Sequence, residues 1–314
     1  IDTNNFYKWW NFAAIIDFKW KTFGKTYYSL IWLFYTIFFL CFAVASTLEQ
    51  NNILFIISVI FGGIHLSFEI RQCYWDPKIY FNDLWNLFDV GAYLLPIITS
   101  ILWLIYGKPS LWIIAFSNLL LNIKFLLFFR VFQSFGIYFA IMIGVGKKVF
   151  PFLVVLLFIL LGFTHAFYIL LRSTKNFSLD KPAFDDDENN PWNLATKYNS
   201  VNPDGTITPT PTLIQSPDSN TNMFNWFPTS LLAVYLLLIG NSGAFSSWTY
   251  QDSHTMTILL VLFTFFTVIY LMNLFIGLLN MAIEDYNKDE EFLLQKAKII
   301  MEIELFYMFS YQKN

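Results

Sequence analysis

Apolar runs of about 20 residues recur along the chain at 28–47, 53–72, 81–106, 111–132, 149–171 and 254–285. A helix rises 1.5 Å per residue, so about 20 apolar residues cross a hydrocarbon layer roughly 30 Å thick. Length alone therefore gives six spans, and backbone hydrogen bonding inside the layer makes each one helical. A further apolar run, 226–239, is too short to cross. It meets Gly240-Asn241-Ser242-Gly243, which favours bare backbone over packed side chains, and then a polar loop at 244–253. Two readings fit this half-span: an amphipathic helix lying at the interface, or one that dips in and turns back at the glycines. The second is tolerated at membrane depth only where its non-helical backbone is buried in protein or lines water, as in a carbonyl-lined ion filter. On the second reading the fold is an all-α membrane protein with a re-entrant pore loop between helices 5 and 6.

The linker 172–225 differs in composition. It holds six of the 11 prolines, the acidic run Asp185-Asp186-Asp187-Glu188 and a low-complexity patch at 206–212. It reads as a partly disordered, non-cytosolic turret with one glycosylation sequon, Asn176-Phe177-Ser178. Its seven acids against four bases would raise local cation concentration above a pore. A solvated loop without function fits equally well.

Basic residues set the orientation. Segments 1–27, 71–80, 130–148 and 287–314 carry 4, 2, 3 and 4 Lys/Arg, against Lys108 alone in the two short loops opposite. The termini are then cytosolic. Trp9, Trp10 and Trp20 interleave with Lys8, Lys19, Lys21 and Lys25, which suits 1–27 to the membrane–water interface. The chain opens on Ile1 and reads as a fragment of something longer. At 13% charged residues, against about 25% in soluble domains, it falls in the membrane class. A net charge of −3 without a dense basic patch excludes nucleic acid as a partner. Cys41 and Cys73 imply no disulfide framework, and His65, His165 and His254 lie scattered on different spans, so no catalytic constellation is expected.

Ionisable residues inside spans are costly and default to functional candidates. The fourth span has only Lys124 and Arg130, too few cations to couple strongly to voltage. Glu69 and Gln72 end the second span, and Asn86 and Asp89 begin the third. Each pair is spaced i,i+3 and shares a helix face, so four oxygens of antiparallel neighbours can converge. Four side chains plus waters suffice for calcium, which takes 6–8 oxygens. A polar network that pins the bundle and neutralises Lys124 or Arg130 is the other reading.

From the fourth span onward the wording becomes specific. Arg130-Val131-Phe132-Gln133-Ser134-Phe135-Gly136-Ile137-Tyr138, Lys19-Trp20-Lys21-Thr22-Phe23, Leu271-Met272-Asn273-Leu274-Phe275-Ile276-Gly277-Leu278-Leu279-Asn280 and the stretch 294–304 resemble transient receptor potential cation channels of the vanilloid type. Phe292 stands where that family usually has Trp. The resemblance covers essentially the whole chain, loosely over the first three spans. It implies a homotetramer around a central pore, with the fifth and sixth helices swapped onto a neighbour and ankyrin repeats upstream. It divides the chain into a pre-span interfacial segment (1–27), a sensor-like bundle of four helices (28–133), a linker (134–148), a pore domain (149–286, with pore helix and filter at 226–243), and an amphipathic helix with the C-terminal segment (287–314).

The same resemblance assigns roles. Ile239, Gly240, Asn241 and Ser242 fall at the family's filter, and Ile276 and Asn280 at its gate, where a ring of isoleucines blocks ions by dewetting. Asn273 and Gly277 would supply helix irregularity at a hinge. The filter departs from its relatives, because Gly243-Ala244-Phe245 follows where an acid is usual and Asp252 is the nearest acid downstream. Carbonyls and the Asn241 amide without a carboxylate ring give calcium little advantage over sodium, unless turret acids supply the charge. Glu69, Gln72, Asn86 and Asp89 look like the cytosol-facing calcium site of the melastatin branch, so calcium enters as a regulatory ion. Tyr80 and Arg130 match polar positions of the family's lipid pocket. The family's linker acid is Gly144 here, so vanilloid-type ligands are not expected, whereas an anionic lipid such as a phosphoinositide on Arg130 with Lys147 or Lys148 is. The function implied is a weakly selective, calcium-permeable channel subunit for Na, K and Ca ions, in the plasma membrane or a vacuole-like organelle. The competing readings are a voltage-gated sodium or calcium channel domain, a six-span transporter or lipid scramblase, and a subunit that does not conduct.

Overall fold

The computed structural model describes residues 10–48, 52–107, 110–284 and 288–308. In chain order the helices are α1 (Trp10–Lys19), α2 (Lys25–Thr47), α3 (Asn52–Trp75), α4 (Pro77–Asn82), α5 (Leu84–Tyr106), α6 (Leu111–Leu127), α7 (Gln133–Leu171), α8 (Pro191–Leu194), α9 (Phe227–Leu238), α10 (His254–Phe263), α11 (Met272–Glu284) and α12 (Lys288–Glu302). A π turn at Trp20–Gly24 joins α1 to α2, and another at Thr264–Leu271 joins α10 to α11. Among the described residues six helices are long and apolar enough to cross a membrane, and α9 is a shorter apolar helix between the fifth and sixth.

Two compact units make up the chain, 1–144 with 286–314, and 145–285. In the first, α2, α3, α5 and α6 pack around an aromatic core of Tyr28, Tyr35, Phe38, Phe42, Phe55, Tyr93 and Phe128. Lipid offers no hydrophobic drive between helices, so polar links between them matter. The Tyr35 hydroxyl donates to the Leu121 carbonyl at 2.7 Å, and the Tyr28 hydroxyl to that of Phe128 at 2.8 Å. Thr99 and Ser117 lie 3.0 Å apart, and the Asn118 amide reaches Ser46 at 3.0 Å. Asp83 opens α5 by accepting from the Trp85 N–H, and Gly107, at φ +78°, closes it. Ile299 of α12 and Ile303 complete the core from the far end of the sequence. Lys19 meets Glu304 at 2.7 Å and Lys296 meets Asp17 at 2.5 Å. Both pairs are partly exposed, so each contributes little.

In the second unit α9 is gripped between the fifth and sixth spans. Leu156, Leu160 and Phe167 of α7, Val234 and Leu237 of α9, Phe263 of α10, and Phe224, Phe245 and Trp248 of the loops form one core.

Three expectations change. The helix carrying the first span starts at Trp10 rather than at residue 28, through the π turn; Lys8 and Trp9 lie outside the described residues. Residues 134–148 are helical and continuous with the fifth span in α7, because tertiary packing overrides the weak helix preference of Gly136, Gly144 and Gly146. The turret carries local structure: strands Lys197–Tyr198 and Leu213–Ile214 pair antiparallel, and asparagine side chains tie the loop to the C-terminal end of α7. The Asn189 amide donates to the carbonyls of Leu170 and Arg172 at 3.1 and 3.3 Å, and its oxygen accepts from the Trp248 indole at 3.0 Å. Buried Asn222 donates to Leu171 at 2.9 Å. A helix ends with carbonyls that lack an intrahelical partner, and these side-chain amides supply it. Composition cannot show that, because the partners lie up to about 60 residues apart.

Candidate functional site

The pore segment is built from α9 outward. Pro228 occupies the first turn, where its missing N–H costs nothing. The helix stops at Gly240, whose φ of +93° favours glycine. Asn241 N–H bonds the Leu236 carbonyl at 2.9 Å and Gly240 N–H that of Leu237 at 3.0 Å, the paired closure of a Schellman cap. Asn241 then turns its side-chain oxygen onto the Gly243 N–H at 2.9 Å. That bond shapes the turn after the helix. Ile239, Gly240, Asn241 and Ser242 are all exposed in the single chain. Asp252, the nearest downstream acid, accepts from the Thr249 hydroxyl.

On α11 the Phe275 ring stacks on Phe152 of α7 at 5.7 Å, while Asn273, Ile276, Gly277 and Asn280 are exposed. Spacings of 3, 4 and 7 put those four on one stripe. The helix irregularity lies one turn earlier than expected, in the π turn Thr264–Leu271. Asn273 still engages it, donating to the Ile269 carbonyl at 2.6 Å.

In the first unit Glu69, Gln72, Asn86 and Asp89 all line one cavity of about 60 Å³, with Tyr28, Tyr93, Lys124, Arg130, Glu302 and Tyr307 among its other walls. Glu69 is nearly buried and accepts from the Tyr80 hydroxyl at 2.9 Å. The Asn86 amide nitrogen donates to the Tyr80 carbonyl at 2.9 Å, which leaves its oxygen for another partner. Asp89 pairs with Lys124 at 2.5 Å, as the polar-network reading has it. Burial pushes the Glu302 carboxyl above the usual range, against the pull of the Arg130 guanidinium. Burial and the neighbouring Glu69 carboxylate likewise push the Tyr80 phenol up.

Two carboxylates and two amides around a small cavity are the hard oxygen donors that calcium takes. Among the described residues no group of three or more His, Cys, Asp or Glu is placed to hold a metal. Gln72 and Asn86 bring amides to the cavity beside the Glu69 and Asp89 carboxylates, and Asp89 is paired with Lys124. The lipid set divides: Tyr80 spends its hydroxyl on Glu69, Arg130 lines the acidic cavity, and exposed Lys147 belongs to the other unit. Glu302, Tyr93 and Tyr307 were missed by sequence reasoning. A signal existed for Glu302, an acid at i+3 on the stripe of Ile299 and Ile303, both buried.

The sequence profile of a family described as ion transport protein matches residues 23–291, most of the chain. No curated protein matches it.

Proposed function

Because the chain belongs to the ion transport protein family, a family of channels and not of enzymes, we propose that this multi-pass cation channel subunit is a weakly selective, calcium-permeable channel of the transient receptor potential type, vanilloid-like in its pore. It works as a homotetramer with cytosolic termini. The observation that carries this reading is the half-length helix α9, packed between two spans and ended by the Gly240 cap, with no carboxylate from Ile239 to Phe245. A transporter or scramblase needs no such segment. Backbone carbonyls substitute for water around a cation, and without a ring of acids they give Ca²⁺ little advantage over Na⁺.

The gate lies at Ile276 and Asn280, on the exposed stripe of α11 that faces away from the Phe152–Phe275 stack. Four isoleucines at that level dewet the pore, and the π turn above gives the stripe room to rotate. Cytosolic calcium at Glu69, Gln72, Asn86 and Asp89 regulates opening. The bound ion supplies two positive charges that hold α3 and α5 together. Glu302 on the same cavity carries the change to α12. An anionic lipid headgroup drawn to the exposed Lys147 is a second modulator. A voltage-sensor role does not fit, since the fourth span carries only Lys124 and Arg130, too few charges to couple strongly to the potential.

The test is the reversal potential of purified channel in a planar bilayer with Na⁺ opposed by Ca²⁺. The expected Ca/Na permeability ratio is below about ten. A much larger ratio would mean that acids outside this segment line the pore, and anion currents would overturn the pore assignment.

A further inference from the structure

The acidic cavity already contains a cation belonging to the chain. Lys124 Nζ lies 2.5 Å from Asp89 Oδ2, and both side chains are largely enclosed. Asp89 is one corner of the four-residue donor set, and a carboxylate that bonds an ammonium this closely has less charge to offer a metal ion. Resting on the proposal that calcium binds there, we infer that Lys124 is a tethered competitor: its ammonium occupies the Asp89 corner, calcium enters by displacing it, and Lys124 thereby sets the calcium affinity.

Charge balance supports the exchange. The cavity is lined by three carboxylates, Glu69, Asp89 and Glu302, and two cations, Lys124 and Arg130. Arg130 and one divalent ion neutralise the three acids, and the lysine is then in excess. While paired with Asp89, the Lys124 Nζ is already 5.4 Å from the centroid of the Tyr93 ring and 5.9 Å from that of Phe128, both within cation–π reach, so the two rings continue to stabilise the ammonium when Asp89 is taken from it. Glu302 on the same wall offers a second anion. Had Lys124 only a structural role, removing it would loosen the bundle and weaken calcium binding. A competitor predicts the opposite sign.

The experiment is a calcium titration of the purified tetramer by calorimetry, which reads binding without any current. Wild type is compared with Lys124→Gln, Lys124→Met, Lys124→Arg, Asp89→Asn and Glu69→Gln, each checked for assembly by size exclusion. Lys124→Gln should bind calcium about tenfold or more tighter, within the roughly 5–150-fold range of linked sites. Lys124→Arg, which keeps the charge, should stay near wild type. Lys124→Met keeps the aliphatic stem and serves if the amide disturbs folding. Equal affinities in wild type and both neutral variants, with binding lost in Asp89→Asn, would overturn the competitor and leave the calcium site standing. Weaker binding in the neutral variants would overturn it too. No saturable calcium binding in any form would remove the calcium site itself, and the competitor with it.

Discussion

Gly136 and Gly240 are indispensable for opposite reasons. A Cβ on Gly240 would meet nothing within 4 Å, and its cost is the backbone at φ +93°. A Cβ on Gly136 would sit 2.2 Å from the Arg130 carbonyl oxygen and 2.4 Å from the Phe292 ring. No packed structure accepts such distances, so α7 must shift relative to the turn before it and to α12. Gly136→Ala should therefore lower thermal stability by an amount typical of overpacking, about 1–3 kcal/mol. Adding Phe292→Ala should not restore it, because the Arg130 carbonyl is backbone and cannot step aside. A thermal melt of the detergent-solubilised protein reads both variants, and a full rescue by Phe292→Ala would show that only the ring matters. The Phe292 ring lies close against Gly136, which leaves a larger ring at 292 little room.

The turret works as an element through its amides. Asn189→Ala leaves the Leu170 and Arg172 carbonyls and the Trp248 N–H without their partner. These bonds are partly buried or exposed, so each loss should cost about 0.5–1.5 kcal/mol, and Trp248 follows the proposed filter, so stability and Ca/Na selectivity should move together. The cost should shrink in a Trp248→Phe background, where one of the three bonds is already absent. Asp187 adds a pH dependence. Partial burial opposes its charge, yet the N–H groups of Asn189 and Thr174 and the hydroxyls of Ser173 and Thr174 hold its carboxyl below the usual range. Its contribution is therefore complete above the unfolded value of about 3.9 and disappears as pH falls through the folded one. Melts of wild type and Asp187→Asn should differ at pH 7 and converge once the pH has fallen through the depressed folded value; a gap that persists in acid would assign the effect to shape rather than charge.

At the scale of the molecule, the six spans and the half-helix were legible because membrane thickness sets a minimum length that composition satisfies or fails. The i,i+3 pairs Glu69/Gln72 and Asn86/Asp89 were legible because helix geometry fixes which side chains share a face. The turret was not, since Asn189 and Asn222 owe their order to partners distant in sequence, and proline and acid content argue the other way. Continuity of α7 through Gly136, Gly144 and Pro151 was equally hidden, as tertiary packing overrides weak local preference. Tyr80, Arg130 and Lys147 are grouped only by resemblance, which transfers positions but not hydrogen bonds, and the Tyr80 hydroxyl is committed to Glu69.

One feature of the first unit bears on how the chain is made. Its core is closed by Ile299 and Ile303, yet 145–285 is synthesised between those residues and the rest of the bundle. At about 5–20 residues per second, the four-helix bundle waits about 10–30 s for its last wall. During that interval the acidic cavity lacks the side formed by Glu302 and Tyr307. A nascent chain held there by a slow ribosome exposes Lys124, Asp89 and Glu69 to water, to lipid or to a chaperone before its own C-terminal helix arrives.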